Sequence, residues 1–176
     1  SGLLEAAEYL ADRRGELRRS ILFLTFTGEE RGLVGSAYWC DHPTVPFKKL
    51  TAMVNMDMIG RLDGRNLFIG GAQTSPVFEP LLHELIKQAG MAVTLGPGGR
   101  APSDNTSFYA KGLPVLFFFT GLHPEYHRPS DDWETLALDG MEQVATLAAL
   151  TTERIANLPE RPKFTKSDKG GGGPPR

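Results

Sequence analysis

A single cysteine, Cys40, stands among 176 residues, which excludes an internal disulfide framework and any cysteine-cluster metal site. An excess of one charge sign is missing as well. Nineteen basic residues meet 21 acidic ones, a formal net charge of −2 with a pI near 6.1. That balance argues against a nucleic-acid partner held by bulk positive potential, and against a membrane partner reached through a polybasic anchor. Long apolar stretches are lacking too. The longest, Leu113 to Phe119, contains Pro114 and falls far short of the roughly 20 residues a membrane span requires. No charged-then-apolar leader opens the chain, so no export signal is expected within it. No repeat at solenoid spacing is found. The length fits one soluble globular domain, able to bury about two thirds of its unfolded surface.

Glycine and proline are what the chain has in plenty, 33 of the 176 residues. Eight of them fall in the last stretch, PERPKFTKSDKGGGGPPR, which has no apolar periodicity. The expected organisation is therefore a folded domain over residues 1–158 and a Gly/Pro-rich tail over 159–176.

The folded part alternates helical and strand patterns. Leu3, Leu4, Ala7, Leu10 and Ala11 make one helical stripe, closed by Gly15. Ile21 to Phe26 (ILFLTF) predicts a short strand ending at Thr27-Gly28, and Leu33 to Trp39 a helix stopped before Pro43. Thr51 to Ile59 (TAMVNMDMI) predicts a second buried strand and Asn66 to Ile69 a third. Pro76 to Ala89 reads as a helix with Gly90 as its stop. Val93 to Leu95 is a short strand, Ser103 to Lys111 a short helix, and Val115 to Thr120 the most apolar strand. Asp139, with Glu142 three residues on, resembles a capping box opening the last helix. Continuously apolar strands between helices are covered on both faces, which predicts a three-layer α/β sandwich around a mixed, largely parallel sheet.

In such sheets ligands gather beyond the carboxyl ends of the strands. After ILFLTF comes TGEERG, with Glu29 and Glu30. Asp57 lies near the end of the second strand. After VLFFFT comes GLHPEYHRPSDDW, holding His123, Tyr126, His127, Asp131 and Asp132. Taken singly these residues read blandly: an adjacent Glu pair at a helix start is commonly solvated, and Asp57 fits a structural ion pair as well as a ligand. His42 and His83 read as surface residues, and Arg13, Arg14, Arg18 and Arg19 as a solvated basic face. Jointly, carboxylates and an imidazole at three strand ends are the donor types that zinc takes.

The segments FLTFTGEERGLVGSAYW, MVNMDMIGR and SDNTSFYAKGLPVLFFFTGLHPEYHRPSDDW, in that order over roughly residues 1–155, resemble the M28 family of zinc aminopeptidases. The resemblance implies a peptide substrate and two zinc ions, about 3.5–4 Å apart as in other two-metal hydrolases. It implies Glu29 as general base, Glu30 and His127 as ligands of one zinc, Asp57 as ligand of the other, and Tyr126 as the donor to the oxyanion. The family also supplies a His-x-Asp motif and a bridging Asp upstream of the Glu pair, and neither is in this sequence. With three of five expected ligands, the chain is expected to be the carboxyl-terminal portion of the catalytic domain, inactive alone. It is also expected to form an oligomer or associate with the missing amino-terminal portion. Where Asn105 stands, relatives often carry His. The resemblance further implies an exported or periplasmic enzyme. The competing reading is a non-catalytic fragment with a structural, self-associating or partner-binding role.

Overall fold

The computed structural model describes residues 1–167. Nine regular elements follow in chain order: α1 (Gly2–Asp12), α2 (Val34–Asp41), β1 (Met53–Met56), β2 (Leu67–Gly70), α3 (Phe78–Ala89), β3 (Val93–Leu95), α4 (Asn105–Ala110), β4 (Val115–Phe119) and α5 (Leu138–Asn157). The four strands form one sheet in the order β1-β4-β2-β3. β1 runs parallel to β4 and β2 parallel to β3, while β2 and β4 are antiparallel. The sheet is therefore mixed, as the patterning predicts.

Alternation along the strands divides two helical layers. Leu116 and Phe118 of β4, with Leu67 and Ile69 of β2, point into a cluster with α3 and α5 that includes Phe78, Leu82, Val144 and Leu147. Val115 points the other way, into a cluster holding Cys40 of α2 and Phe108 of α4. Phe68, Phe117 and Phe119 form a third group beside Met58 and Ala101. β2 and β4 are buried along their whole length because helices or strands cover every side of them. β1 is only half-buried at each residue, as an edge strand should be.

Two expectations are corrected here. Ile21–Phe26 is not a strand: it runs without turn, bend or helix, yet pairs with no strand. Its β-rich composition is satisfied only where a partner edge lies alongside, and a cavity of about 940 Å³ separates it from β1. Asp139 does not cap α5. The helix begins one residue earlier, Ala137 is its N-cap, and no side chain bonds the first turn. The tail divides as well. Arg161 donates to the carbonyls of Lys48 and Leu50, the Thr165 N–H donates to the Thr74 carbonyl (2.8 Å), and Phe164 packs on Tyr109. The run of glycines and prolines that suggested a linker lies outside the described residues. No helix among the described residues is long and apolar enough to cross a membrane.

Candidate metal centre

Glu29 and Glu30 sit on a single 3-10 turn, Glu29–Arg31, between Gly28 and Gly32, both left-handed (φ 68° and 96°). These glycines let the chain reverse tightly after Phe26, so the two carboxylates stand at the rim rather than on a helix face. Asp57 follows β1 directly, and its N–H donates to the Phe118 carbonyl (3.1 Å). That bond fixes Asp57 at the carboxyl edge shared by β1 and β4.

The loop after β4 delivers Tyr126 and His127 to the same edge. His127 Nε2 lies 2.6 Å from Glu30 Oε1, a contact between residues 97 apart in sequence. The Tyr126 ring stacks on the His127 ring, with centroids 3.8 Å apart. Electrostatics tie the remaining groups in. Burial pushes the Glu29 carboxyl up from its ordinary value, and the charges of Asp57 and Glu30 push it further. Burial likewise raises the Tyr126 hydroxyl, with Glu30, Glu29 and Asp57 adding to it. Like charges so close disfavour ionisation of Glu29 and Tyr126.

A polar chain supports Asp57 from behind. Ser103 Oγ donates to Asp57 Oδ2 (2.7 Å) and accepts from Asn55 Nδ2 (2.7 Å). Asn105, almost wholly buried, donates to the Gly99 carbonyl (2.9 Å), and its Oδ1 lies 3.5 Å from Asn55 Nδ2. Asn105 thus orients the strand side chain that meets Ser103. Sequence patterning assigned no task to Arg61, and the structure gives it one. Its guanidinium bonds Asp131 (2.6 Å) and the Thr135 hydroxyl, and lies 3.6 Å from Glu125. His123, whose side chain is 5% exposed, sits between Glu125 (3.4 Å) and Asp131 (3.7 Å). This network staples the loop that carries Tyr126 and His127. The one available signal for it was an arginine beside the NMDMIG strand end with two acidic residues downstream.

Three non-glycine residues have positive φ: Leu33 (60°), Met58 (51°) and His127 (57°). Each lies within three residues of Glu30, Asp57 or His127. The other histidines stay apart, His42 stacked on Tyr38 and His83 beside Glu79 on α3. The arginine cluster is not only a solvated face. Arg13 lies over the Tyr9 ring, and Arg19 Nη1 donates to the Ala156 and Leu158 carbonyls at the end of α5.

The donors present suit zinc in kind but not in number. Glu30 and His127 meet as an oxygen–nitrogen pair, and Asp57 stands apart on Ser103. Among the described residues, no group of three or more His, Cys, Asp or Glu side chains could hold a metal ion. A catalytic zinc ordinarily has three protein ligands.

The sequence model of peptidase family M28 matches residues 1–152. The chain belongs to peptidase family M28. Among curated proteins, this M28 chain is 26% identical over 177 residues to aminopeptidase YwaD of Bacillus subtilis, covering 94% of this chain and 38% of that one. Among solved structures it is similar to the Legionella pneumophila LapA aminopeptidase, with a TM-score of 0.73 and 26% identity, over 89% of this chain and 45% of that one. BSAP, a zinc aminopeptidase from Bacillus subtilis, shares the fold with a TM-score of 0.64 and 23% identity, over 82% of this chain and 38% of that one. The M28 chain thus spans less than half the length of these relatives.

Proposed function

We propose that this chain is part of a metal-dependent aminopeptidase whose site uses two zinc ions and is completed by residues outside this sequence. Membership of the M28 family and its aminopeptidase relatives support the reading. The observation that carries it is the 2.6 Å contact between Glu30 and His127, across 97 residues of sequence and at the carboxyl edge of the sheet. Glu30 and His127 would hold one zinc and Asp57 would contribute to the other. When bound, zinc supplies Lewis acidity and a water acidic enough to ionise near neutral pH.

The remaining tasks fall to this chain's own groups. Glu29, its carboxyl raised by burial and by neighbouring charge, accepts the proton of the attacking water and returns it to the leaving amine. Tyr126 donates its hydroxyl hydrogen to the oxygen that gains charge in the tetrahedral intermediate. Ser103 holds Asp57 in one orientation, and the Arg61 network holds the loop that carries Tyr126 and His127. The reading includes an exported location and association with the missing amino-terminal portion or with another copy.

The test measures zinc per chain after dialysis against a mild chelator, beside hydrolysis of leucine p-nitroanilide. The 176-residue chain alone is expected to hold well under one zinc and to show negligible turnover. Stoichiometric zinc in this chain alone would overturn the incomplete site. In a protein that carries the upstream half as well, Glu29→Gln is expected to keep zinc and lose at least about a hundredfold in kcat. Undiminished kcat would remove Glu29 from the mechanism.

A further inference from the structure

The balanced total of −2 conceals a one-sided distribution. Arg18 and Arg19 precede Ile21–Phe26, Lys48 and Lys49 precede β1, and Arg161 and Lys163 follow α5. The fold gathers these six cations at one edge of the sheet. The Arg18 N–H donates to Asn157 Oδ1 (2.9 Å), and the Arg19 guanidinium bonds the Ala156 and Leu158 carbonyls, so the first pair sits on the end of α5. Arg161 donates to the Lys48 carbonyl (2.7 Å) and to that of Leu50, which joins the second pair to the third. The Met53 N–H meets the Pro114 carbonyl (3.0 Å), so this is the edge at which β1 and β4 begin. Glu30, Asp57 and His127 lie at the edge where those strands end.

Little at the basic edge opposes its charge. Residues 17–20, 48–50 and 158–163 hold the six cations and one acid, Glu160, a local charge of +5. Glu16, the next acid along the chain, acts on Tyr9, whose hydroxyl is pushed up by burial, then by Glu153, and by Glu16 as well. Among the described residues, none of the six cations pairs with a carboxylate, and all but Arg19 are exposed. The side chains of Arg18, Lys48, Lys49 and Lys163 make no hydrogen bond or ion pair among the described residues. The sequence that follows, TKSDKGGGGPPR, adds three cations and one acid. Clustered like charges repel one another, and a surface of opposite sign removes that repulsion.

We infer that this edge is a docking face for an anionic lipid surface, held by headgroup phosphates, with the candidate metal centre turned away toward solvent. The choice of a lipid surface follows from what the face lacks. No large exposed apolar or aromatic side chain falls in the three segments, so the bases of a nucleic-acid strand have nothing to stack on. Apart from one 3-10 turn, Phe47–Lys49, the six cations stand on loops, with no helix offered to a duplex groove. Cations spread over one face match charge spread over a plane. The same lack of apolar anchors makes the contact electrostatic and reversible by salt. At the far edge, Glu29, Glu30 and Asp57 are repelled by such a surface, which fixes the orientation. The members come in pairs from three distant segments, so no polybasic run marks the face in the sequence. The inference rests on the placement of charge and not on the peptidase reading.

The experiment measures sedimentation of the 176-residue chain with vesicles of phosphatidylcholine, pure or with about 30 mol% phosphatidylglycerol, at about 20 mM salt. Each Lys or Arg held at an anionic lipid surface tightens binding about fivefold. The chain is expected to bind the mixed vesicles at least about tenfold more tightly than the pure ones, and to leave them at about 500 mM salt. Replacing Arg18, Lys48, Lys49 and Lys163 together by Gln is expected to weaken binding at least about tenfold. A control replaces Arg31, Lys87, Arg100 and Arg128 by Gln, all exposed and outside the three segments, with the same change in net charge. It is expected to bind within about twofold of the parent. No preference for the mixed vesicles, or equal loss in the two variants, would overturn the docking face. Binding that survives high salt would overturn it in favour of apolar insertion. A DNA duplex bound as tightly as the mixed vesicles would make nucleic acid the occupant and overturn it too. So would release by inorganic phosphate beyond that by chloride at equal ionic strength, which would mark a discrete phosphate site. Circular dichroism checks that each variant is folded. Should the fourfold face variant unfold, Lys48→Gln and Lys163→Gln are measured singly; each is expected to weaken binding at least about twofold, and no change in either would overturn the inference.

Discussion

Replacing Ser103 with alanine removes one oxygen that serves two neighbours. Its hydroxyl donates to the Asp57 carboxylate at 2.7 Å and accepts from the Asn55 amide at 2.7 Å, and the residue is 1% exposed, so water cannot take its place. A hydrogen bond to a charged group contributes about 1.5–3 kcal/mol, and an orphaned buried donor costs about 1–3 kcal/mol. The Asn55 amide keeps a long contact to Asn105 at 3.5 Å, which softens the second loss. The expected destabilisation is therefore about 3 kcal/mol. With a urea slope of about 2 kcal/mol per molar for a domain of this size, the unfolding midpoint falls by about 1.5 M. Urea denaturation of the 176-residue chain, followed by circular dichroism, measures it. A cycle with Asp57→Asn separates the charged bond from the rest: in the D57N background, S103A should cost at least about 1 kcal/mol less. A midpoint loss below about 0.3 M, or strict additivity in the cycle, would refute the polar chain behind Asp57.

Burial pushes the Cys40 thiol up to about 11 from an ordinary 9, so the native chain should resist Ellman's reagent at pH 8 and react fully once unfolded in urea. Because the folded value is the higher one, this thiol's contribution to stability is complete below pH 9 and disappears as pH rises from 9 to 11. Urea midpoints across that range should fall further in the parent than in Cys40→Ala. Gly71→Ala should destabilise by more than about 2 kcal/mol, since φ is +85° and a Cβ would stand 2.1 Å from the Val115 carbonyl oxygen; an unchanged thermal midpoint would contradict that close approach. Phe164→Ala should cost about 1–2 kcal/mol by removing the ring packed 5.4 Å from Tyr109, and an unchanged midpoint would show that residues 161–167 do not brace the body.

What the sequence made legible were features whose cause is local. The stripe of α1, the glycine stop of α3 at Gly90 and the continuous burial of β4 all follow from the spacing of apolar residues and the chemistry of their ends. Ile21–Phe26 carries the same strand signal as β4, but pairing depends on a neighbouring edge that no property of those six residues supplies. Asp139 with Glu142 has the spacing of a cap, and the helix begins earlier because it packs its first turn by tertiary contact: Gly140 lies against the Leu62 carbonyl, where a Cβ would be 2.1 Å away. At the candidate site, Glu29, Glu30, Asp57, Tyr126 and His127 stood out in the sequence because each lies at or just after an apolar segment and within a motif that resembles the family's, although the segment before Glu29 forms no strand. Arg61 and Ser103 could not, since their value lies in which carboxylate they meet across 70 and 46 residues. Arg19 shows the same limit, reading as a surface charge and acting as a clasp on the end of α5.

Leu33, Met58 and His127 hold a backbone shape that L-residues avoid, at a cost of about 1–3 kcal/mol each. Together that is a sizeable share of the roughly 5–15 kcal/mol by which a domain outlasts its unfolded chain. The apolar body of β2, β4, α3 and α5 therefore acts as a clamp, and the rim that carries Glu30, Asp57 and His127 as a bent spring held by it. Loosening the body should release the rim first, so these three turns ought to relax well before the protein melts. A chain selected for heat resistance would find its easiest gains there, by glycine at Leu33 or Met58, and would give up the fixed aim of the neighbouring side chains in return.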